Sequence, residues 1–259
     1  MDSKCVRLIK KYYDFAITKV KVLRDQKHFK QDGVDVKYIY KPVKGAKTLA
    51  VVFSACTRPG MAARYNYVRT LDGMLCNRLY ILDDFGPEGR GSYYLGSMPE
   101  FKDQETTIAL IQKFIKETSP EKVLFCGSCK GGYGALNIGT RFPNSVIIAG
   151  EPTYRIATEY KLAEDLLKYW MGDVTEQKIE YMDHYLADQL KQNKNRSGQK
   201  LYLFYSIKDE YFEKHTKPLM KDIHDSGYEV EEREADFAAH ADLGLYFPDF
   251  LKEKVKESL

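Results

Sequence analysis

An α/β fold, a mostly parallel sheet flanked by helices and interrupted by one helical insertion, is predicted by three observations. Short apolar runs alternate with helical stretches from residue 48 onward, the pattern of a sheet buried on both faces. A glycine-rich turn joins the apolar run VLFC to a helix at residues 127–132. The chain has 259 residues, 44% of them hydrophobic, enough for one sizeable core and little for two, so a single domain over residues 1–259 is expected.

Residues 3 to 24 read as an amphipathic helix, with Val6, Ile9, Tyr12, Tyr13, Phe15, Ile17 and Val20 on one side. Asp32-Gly33, a turn dipeptide between two strand-like stretches, predicts a hairpin that Pro42 closes. TLAVVFSA (48–55) is the first buried strand and RLYILDDF (78–85) the second, followed by a helix over 102–119 that Pro120 stops. EKVLFCG (121–127) is a third strand, GGYGALNIGTRF (131–142) a helix and SVIIAGEP (145–152) a fourth strand. Residues 153–198, rich in tyrosine and charge, form the helical insertion, placed where a cap over a site is expected. QKLYLFYSIKD (199–209) is a fifth strand. After it come a helix over 211–226, the strand YEVEERE (228–234), a loop carrying His240 and a terminal helix from about 242.

Composition narrows the function classes. Forty Lys+Arg against 37 Asp+Glu leave a formal charge of +3 spread along the chain, with no basic stripe to bind nucleic acid or a membrane surface. No apolar run approaches the ~18 residues that span a bilayer, and the first residues lack the apolar core of a secretory signal, so a soluble, cytoplasmic chain is expected. Five cysteines, at 5, 56, 76, 126 and 129, make an odd count without a small-domain framework, which predicts free thiols.

The strongest local signal is Gly127-Ser128-Cys129-Lys130-Gly131-Gly132 between a strand and a helix. This is the pattern of a nucleophile elbow, in which small neighbours allow a tight, strained turn that presents the central residue to a cleft. The elbow is the hallmark of the α/β-hydrolase fold, and it makes Cys129 the candidate nucleophile. The dipole of the helix behind it, with a facing imidazolium, would lower its thiol from about 8.5 toward neutrality. A second reading pairs Cys126 with Cys129 as a redox CxxC, but residue 126 falls inside the strand and the motif lies midway along the chain. Cys56 and Cys76 form no second close pair, which argues against zinc, and no metal is expected.

An elbow calls for an acid after a later strand and a histidine after the last, in the order nucleophile, acid, histidine. Asp209 ends the strand LYLFYSIKD, with Glu210 the weaker alternative, and His240 follows the final strand. His28, His184, His215 and His224 fall in the hairpin, the insertion or helices, where a surface role is the plain reading. The oxyanion hole is expected from the backbone N–H of Lys130 and of Ala55 or Cys56. Arg58, Arg64 and Lys130 are candidates to meet anionic substrate groups, against the commoner role of solvated surface charge, with Tyr65 beside Arg64 as a further substrate-binding candidate.

The segments RYNY (64–67), LYILDDFG (79–86), SYYLG (92–96), GSCKGGYGAL (127–136) and GEPTY (150–154) together carry a family resemblance. The chain resembles the bacterial α/β-hydrolase-like proteins of capsule synthesis of the XcbB/CpsF type. It is also similar to capsular polysaccharide and accessory Sec system O-acetyltransferases, over residues from about 50 to about 250. The resemblance implies acetyl transfer from acetyl-CoA, as co-substrate rather than bound cofactor, to a glycan hydroxyl, with a capsule assembly complex as a further partner. By position, the family serine falls on Cys129, the acid on Asp209 and the base on His240. Cysteine for serine makes the implied intermediate a thioester. Three readings follow: acyl transfer; hydrolysis of a small ester, thioester or lactone by the same residues; and a non-catalytic component of glycan assembly.

Overall fold

The computed structural model describes residues 22, 24–57, 61–194 and 196–259. The helix expected over 3 to 24 lies, apart from residues 22 and 24, outside the described residues, as does Arg58. Strands β1 (Gln26–Gln31) and β2 (Val34–Lys41) form the expected hairpin, and Asp32 and Gly33, with φ of 51° and 83°, supply the left-handed turn. The remaining strands are β3 (Thr48–Phe53), β4 (Asn77–Leu82), β5 (Lys122–Ser128), β6 (Val146–Gly150), β7 (Lys200–Tyr205) and β8 (Glu229–Glu234). Among the described residues they form one eight-stranded sheet in the order β1-β2-β4-β3-β5-β6-β7-β8. The six strands from β3 to β8 run parallel, and the hairpin adds an antiparallel edge.

The apolar runs are continuous because both faces of the sheet are covered. Along β3, Leu49, Val51 and Phe53 point into one apolar cluster and Ala50 and Val52 into the other, the period of two that a strand imposes. Helix α1 (Lys102–Thr118) buries Leu110, Ile111 and Phe114 on the first face. Helix α2 (Lys130–Gly139) is buried along its whole length. The segment between β6 and β7 folds into α3 (Ile156–Glu159), α4 (Glu164–Met171) and α5 (Glu176–Gln192). Helix α6 opens with a π turn at Phe212–Thr216 and continues as Lys217–Asp225, and α7 (Leu243–Glu257) covers the second face with Phe247, Phe250 and Leu251. No helix among the described residues is long and apolar enough to cross a membrane.

Strand order positions the site. From β3 the chain moves outward to β4 and then returns past β3 to β5, so the loops leaving β3 and β5 part to opposite sides. That reversal opens a crevice at the carboxyl edge of a parallel sheet. Cys56 lies on the loop after β3 and Cys129 directly after β5.

Candidate active site

The turn after β5 has the geometry the sequence predicts. Cys129 adopts φ 52° and ψ −121°, a left-handed conformation that costs a non-glycine residue about 1–3 kcal/mol. Its backbone N–H donates to the Gly150 carbonyl at 2.9 Å, which anchors the turn to β6. A Cβ on Gly131 would sit 2.7 Å from the Phe53 carbonyl oxygen, and one on Gly132 would sit 3.2 Å from the Gly150 oxygen. Glycine at both positions is what lets α2 enter between β3 and β6.

Two network residues hold this elbow from below. Asp83, fully buried at the end of β4, accepts from the Ser92 N–H at 2.9 Å and the Tyr94 N–H at 3.2 Å, and pairs with the Lys130 ammonium at 3.1 Å. Lys130 Nζ also donates to the carbonyls of Asp83 and Arg90, at 3.0 and 3.2 Å. The segments LYILDD, SYYLG and SCKGG are therefore one hydrogen-bonded unit. The Lys130 side chain is only 2% exposed and saturated within it, which corrects the expectation that its charge meets substrate. Ser92 in turn donates to Asp103 Oδ2 at 3.0 Å, where Tyr169 of α4 also donates at 2.8 Å, and Trp170 Nε1 donates to the Ser92 carbonyl at 3.1 Å. The insertion is thus pinned to the same unit.

At the sulfur, the first N–H of α2, that of Lys130, points to Cys129 as expected and favours its thiolate. A second group opposes it. The Cys129 thiol interacts with the Cys56 sulfur, and this contact, with burial and the charge on Cys56, holds the Cys129 thiol well above its ordinary range. The same contact, with help from the Lys130 charge and the Tyr160 hydroxyl at 3.4 Å, draws Cys56 down to about 6 against the cost of burial. The lowering expected at Cys129 is therefore opposed by its neighbour. Thr153 Oγ1 stands 3.6 Å from the Cys129 sulfur. Cys126 is the remaining half of the CxxC pattern; it lies within β5 in the apolar cluster with Leu124 and Ile148, and burial pushes its thiol up.

The two β3-loop candidates for the oxyanion hole differ in whether their N–H is already bonded. The Ala55 N–H donates to Asn66 Oδ1 at 2.9 Å and is occupied, which corrects that assignment. The Cys56 N–H has no acceptor among the described residues and stays available with Lys130. Arg64 is exposed. The Tyr65 hydroxyl donates to Gln26 at 3.1 Å on the edge strand β1, so it is turned to that edge rather than to the sulfurs. Cys56, Tyr93, Lys130, Tyr160, Arg90 and Leu166 line a small cleft that opens to solvent.

His240, in a short turn leading into α7, stands against two carboxyl groups. Asp209, in the turn after β7, is where the sequence places it, with Oδ2 3.4 Å from His240 Nδ1; Glu210 beside it is exposed. The shorter contact is to Glu151 Oε2, at 3.2 Å, which accepts the hydrogen bond from Nδ1. Glu151 directly follows β6, is completely buried and has φ 38°. The sequence reading did not single it out as a site residue. The signal was present in GEPTY, where a carboxylate closes an apolar strand. Spacing alone would suit a metal ion, since donor atoms of Glu151, Asp209 and His240 lie within 4.8 Å of one another. In the structure the Nδ1 contacts to both carboxyls hold these three together.

The His240 ring stacks on Tyr211 at 3.7 Å, and among the described residues its Nε2 has no hydrogen-bond partner, Cys129 included. Burial opposes charge on the imidazole, but hydrogen bonds to Asp209 and Glu151 outweigh it and raise His240 to about 9. Burial, reinforced by Asp209, raises Glu151 to about 7.

These two shifts have the same sign for stability. His240, raised from 6.5, contributes stability fully present below 6.5 and lost as pH rises through about 9. Glu151, raised from 4.5, contributes stability present below 4.5 and lost as pH rises through about 7. Cys56, drawn down from 9.0 to about 6, adds stability as pH rises over the same range, so in a Cys56→Ser background, which removes that opposing gain, the thermal unfolding midpoint is expected to fall steadily from about pH 6.5 to about pH 9. Circular dichroism melts across that range check this, and a midpoint that stays level or climbs contradicts it.

An elbow at the switch point of an eight-stranded, mostly parallel sheet, facing a histidine and its acids, defines an α/β-hydrolase-fold protein. The chain belongs to the uncharacterised protein family UPF0227, whose profile matches residues 93–233, more than half of its length. No curated protein sequence matches it significantly. Among solved structures it is similar to the capsule O-acetyltransferase of Neisseria meningitidis serogroup A in complex with CoA, with a TM-score of 0.73 and 21% identity over 89% of this chain and 94% of that one. It is also similar to the Glycosylation Associate Protein (Gap123) complex from Streptococcus agalactiae, with a TM-score of 0.76 and 18% identity over 91% of this chain and 46% of that one. An S-formylglutathione hydrolase from Agrobacterium tumefaciens matches with a TM-score of 0.62 and 13% identity over 89% and 94% of the two chains. At these identities the likeness is one of fold, and it is the fold the resemblance implied.

Proposed function

We propose that this protein is an acyltransferase that carries acetyl from a CoA thioester to a hydroxyl of a bacterial surface glycan, with Cys129 as nucleophile. The observation that carries the reading is the Cys129 backbone, strained at φ 52° on the N-terminus of a buried helix, with the Lys130 N–H turned to the sulfur. The neighbours' fold supports the substrate class, since one of them is a capsule O-acetyltransferase bound to CoA.

The residues suit a two-step transfer. The Cys129 proton passes to the neighbouring Cys56 sulfur, whose thiol is drawn down to about 6, and the Cys129 thiolate attacks the thioester carbonyl. The oxyanion is held by the Lys130 and Cys56 N–H groups. CoA leaves as its thiolate and takes the proton that His240, charged at neutral pH, releases from Nε2. Neutral His240 then accepts the proton of the glycan hydroxyl as that oxygen attacks the thioacetyl carbonyl. Cys129 departs as thiolate and regains its proton from Cys56. His240 and Cys129 are not hydrogen-bonded at rest, and a bound acyl group with its leaving atom is what would stand between them. Helices α3 to α5 act as a cap that keeps water from the thioester.

Incubation with labelled acetyl-CoA should add one acetyl group to Cys129, seen by peptide mass spectrometry, and then label an acidic or phosphate-bearing glycan. Rapid turnover of simple esters in water without acceptor would instead favour hydrolysis by the same residues. Alkylation of Cys56 and Cys129 no faster than an ordinary thiol at neutral pH would favour a non-catalytic role in glycan assembly.

A further inference from the structure

We infer that Glu151 is a second acid of this site: it positions His240 jointly with Asp209, the two carboxyl groups acting as one hydrogen-bonded pair on Nδ1. The inference rests on the reading of His240 as the proton carrier and deepens it.

Three observations meet here. The Nδ1–H donates to Glu151 Oε2 at 3.2 Å, while Asp209 Oδ2, at 3.4 Å, has no hydrogen-bond partner despite being buried. The other oxygen of each carboxyl is fixed by a backbone donor, Glu151 Oε1 by the Ser206 N–H at 3.3 Å and Asp209 Oδ1 by the Tyr211 N–H at 2.9 Å. Both side chains have 0% exposure. Two buried carboxyls this close cannot both carry charge at small cost, so the pair retains a proton. A protonated Glu151 supplies the donor that Asp209 Oδ2 lacks, and Asp209 remains the anion. The shifts of both groups point the same way: burial raises Glu151 to about 7, and burial at Asp209 is outweighed by its bonds to His240 and Glu151, which lower it.

The remaining surroundings leave the pair to control the ring. Tyr211 covers one ring face, and its hydroxyl donates to Glu159 at 2.9 Å. His215 packs behind Tyr211 with Nε2 3.2 Å from Glu159, and burial keeps it from gaining charge. Strand order explains why two acids converge. β6 and β7 are neighbours, and Glu151 and Asp209 leave their carboxyl ends on the side where His240 returns. As pH rises through neutrality the pair loses its shared proton. His240 then faces two anions and holds its own proton more tightly, which slows release to the leaving group.

The test compares Glu151→Gln, Asp209→Asn and the double variant, reading both the His240 titration by NMR and the pH profile of kcat. Asp209→Asn should lower the His240 pKa and reduce kcat by about 10- to 100-fold, since one acid remains, whereas Glu151→Gln should lower the His240 pKa and remove the fall of kcat as pH rises through neutrality. The double variant should lose about 10⁴-fold, the cost of a histidine without its acid. If Glu151→Gln leaves both the His240 titration and the pH profile unchanged, or the double variant is no worse than Asp209→Asn, the inference is overturned. Selective ¹³C labelling of glutamate carboxyls in the unaltered protein is the check that survives a variant failing to fold. One glutamate should titrate near neutrality, and a set titrating entirely in the ordinary carboxylate range refutes the pair. The NMR readouts need no substrate, so a protein that transfers no acyl group would defeat the proposed function while leaving this result separately decidable.

Discussion

Cys129→Ala is expected to abolish acyl transfer while the melting temperature stays close to that of the unaltered protein. The side chain is 9% exposed and contributes little volume to the cluster it borders, so the substitution removes a sulfur without opening a large cavity. Backbone strain at φ 52° is equally present with alanine and adds no difference. What disappears is the atom that would carry the acyl group. A lost nucleophile reduces kcat by at least about 10³-fold and leaves the residual effect of binding and the oxyanion hole. Mass spectrometry should find no acetyl adduct on the variant after incubation with acetyl-CoA. Undiminished transfer, or an adduct on another residue, would remove Cys129 from the reaction.

Lys130→Met is expected to cost about 3–5 kcal/mol of stability, the range for breaking a buried ion pair from one side. Methionine fills much the same volume, so packing is retained and the electrostatic loss is isolated. Asp83 has no exposure, and its partner ammonium at 3.1 Å is the charge that compensates it. Removing that ammonium also frees the Asp83 and Arg90 carbonyls, at 3.0 and 3.2 Å, on the two segments that cradle the elbow. A second change, Asp83→Asn, should recover only part of the loss, because the asparagine amide can accept from Ser92 or Tyr94 with one oxygen where aspartate uses two. Denaturant melts measure both variants. A loss below about 1 kcal/mol for Lys130→Met would mean that water replaces the ammonium and that the pair is no keystone.

Local pattern made much of the fold legible. A strand covered on both faces must be continuously apolar, and β3, β5 and β7 announce themselves for that reason. Chain order carried the residues of the site equally far. An elbow needs glycine where β3, β5 and α2 touch, and the acid and histidine follow at later strand ends, so Cys129, Asp209 and His240 are readable one after another. The strand ends were less exact. β3 stops at Phe53 and β7 at Tyr205, before the polar residues that the apolar runs seemed to include, because hydrogen-bonded pairing rather than composition ends a strand.

The misplaced details share a cause, which is partnership between distant residues. Ala55 was a sound oxyanion donor by position, yet Asn66 reaches back and occupies its N–H. The Lys130 side chain was a candidate to meet anionic substrate groups, yet β4 brings Asp83 beneath it and holds its charge. Cys126 and Cys129 are close in sequence, but Cys126 is held within β5, and the sulfur that meets Cys129 is Cys56, brought by β3 pairing directly with β5.

By itself the sequence determined which segments are strands and helices, where the strained turn falls and which residue sits at its apex, because backbone sterics and side-chain periodicity act over a few neighbouring residues. Tertiary structure alone decided which carboxyl receives the histidine N–H, which sulfur stands against Cys129 and which backbone donors stay open. Those outcomes depend on distances of 3 to 4 Å between residues as far apart as Glu151 and His240, and on burial that only the assembled sheet creates.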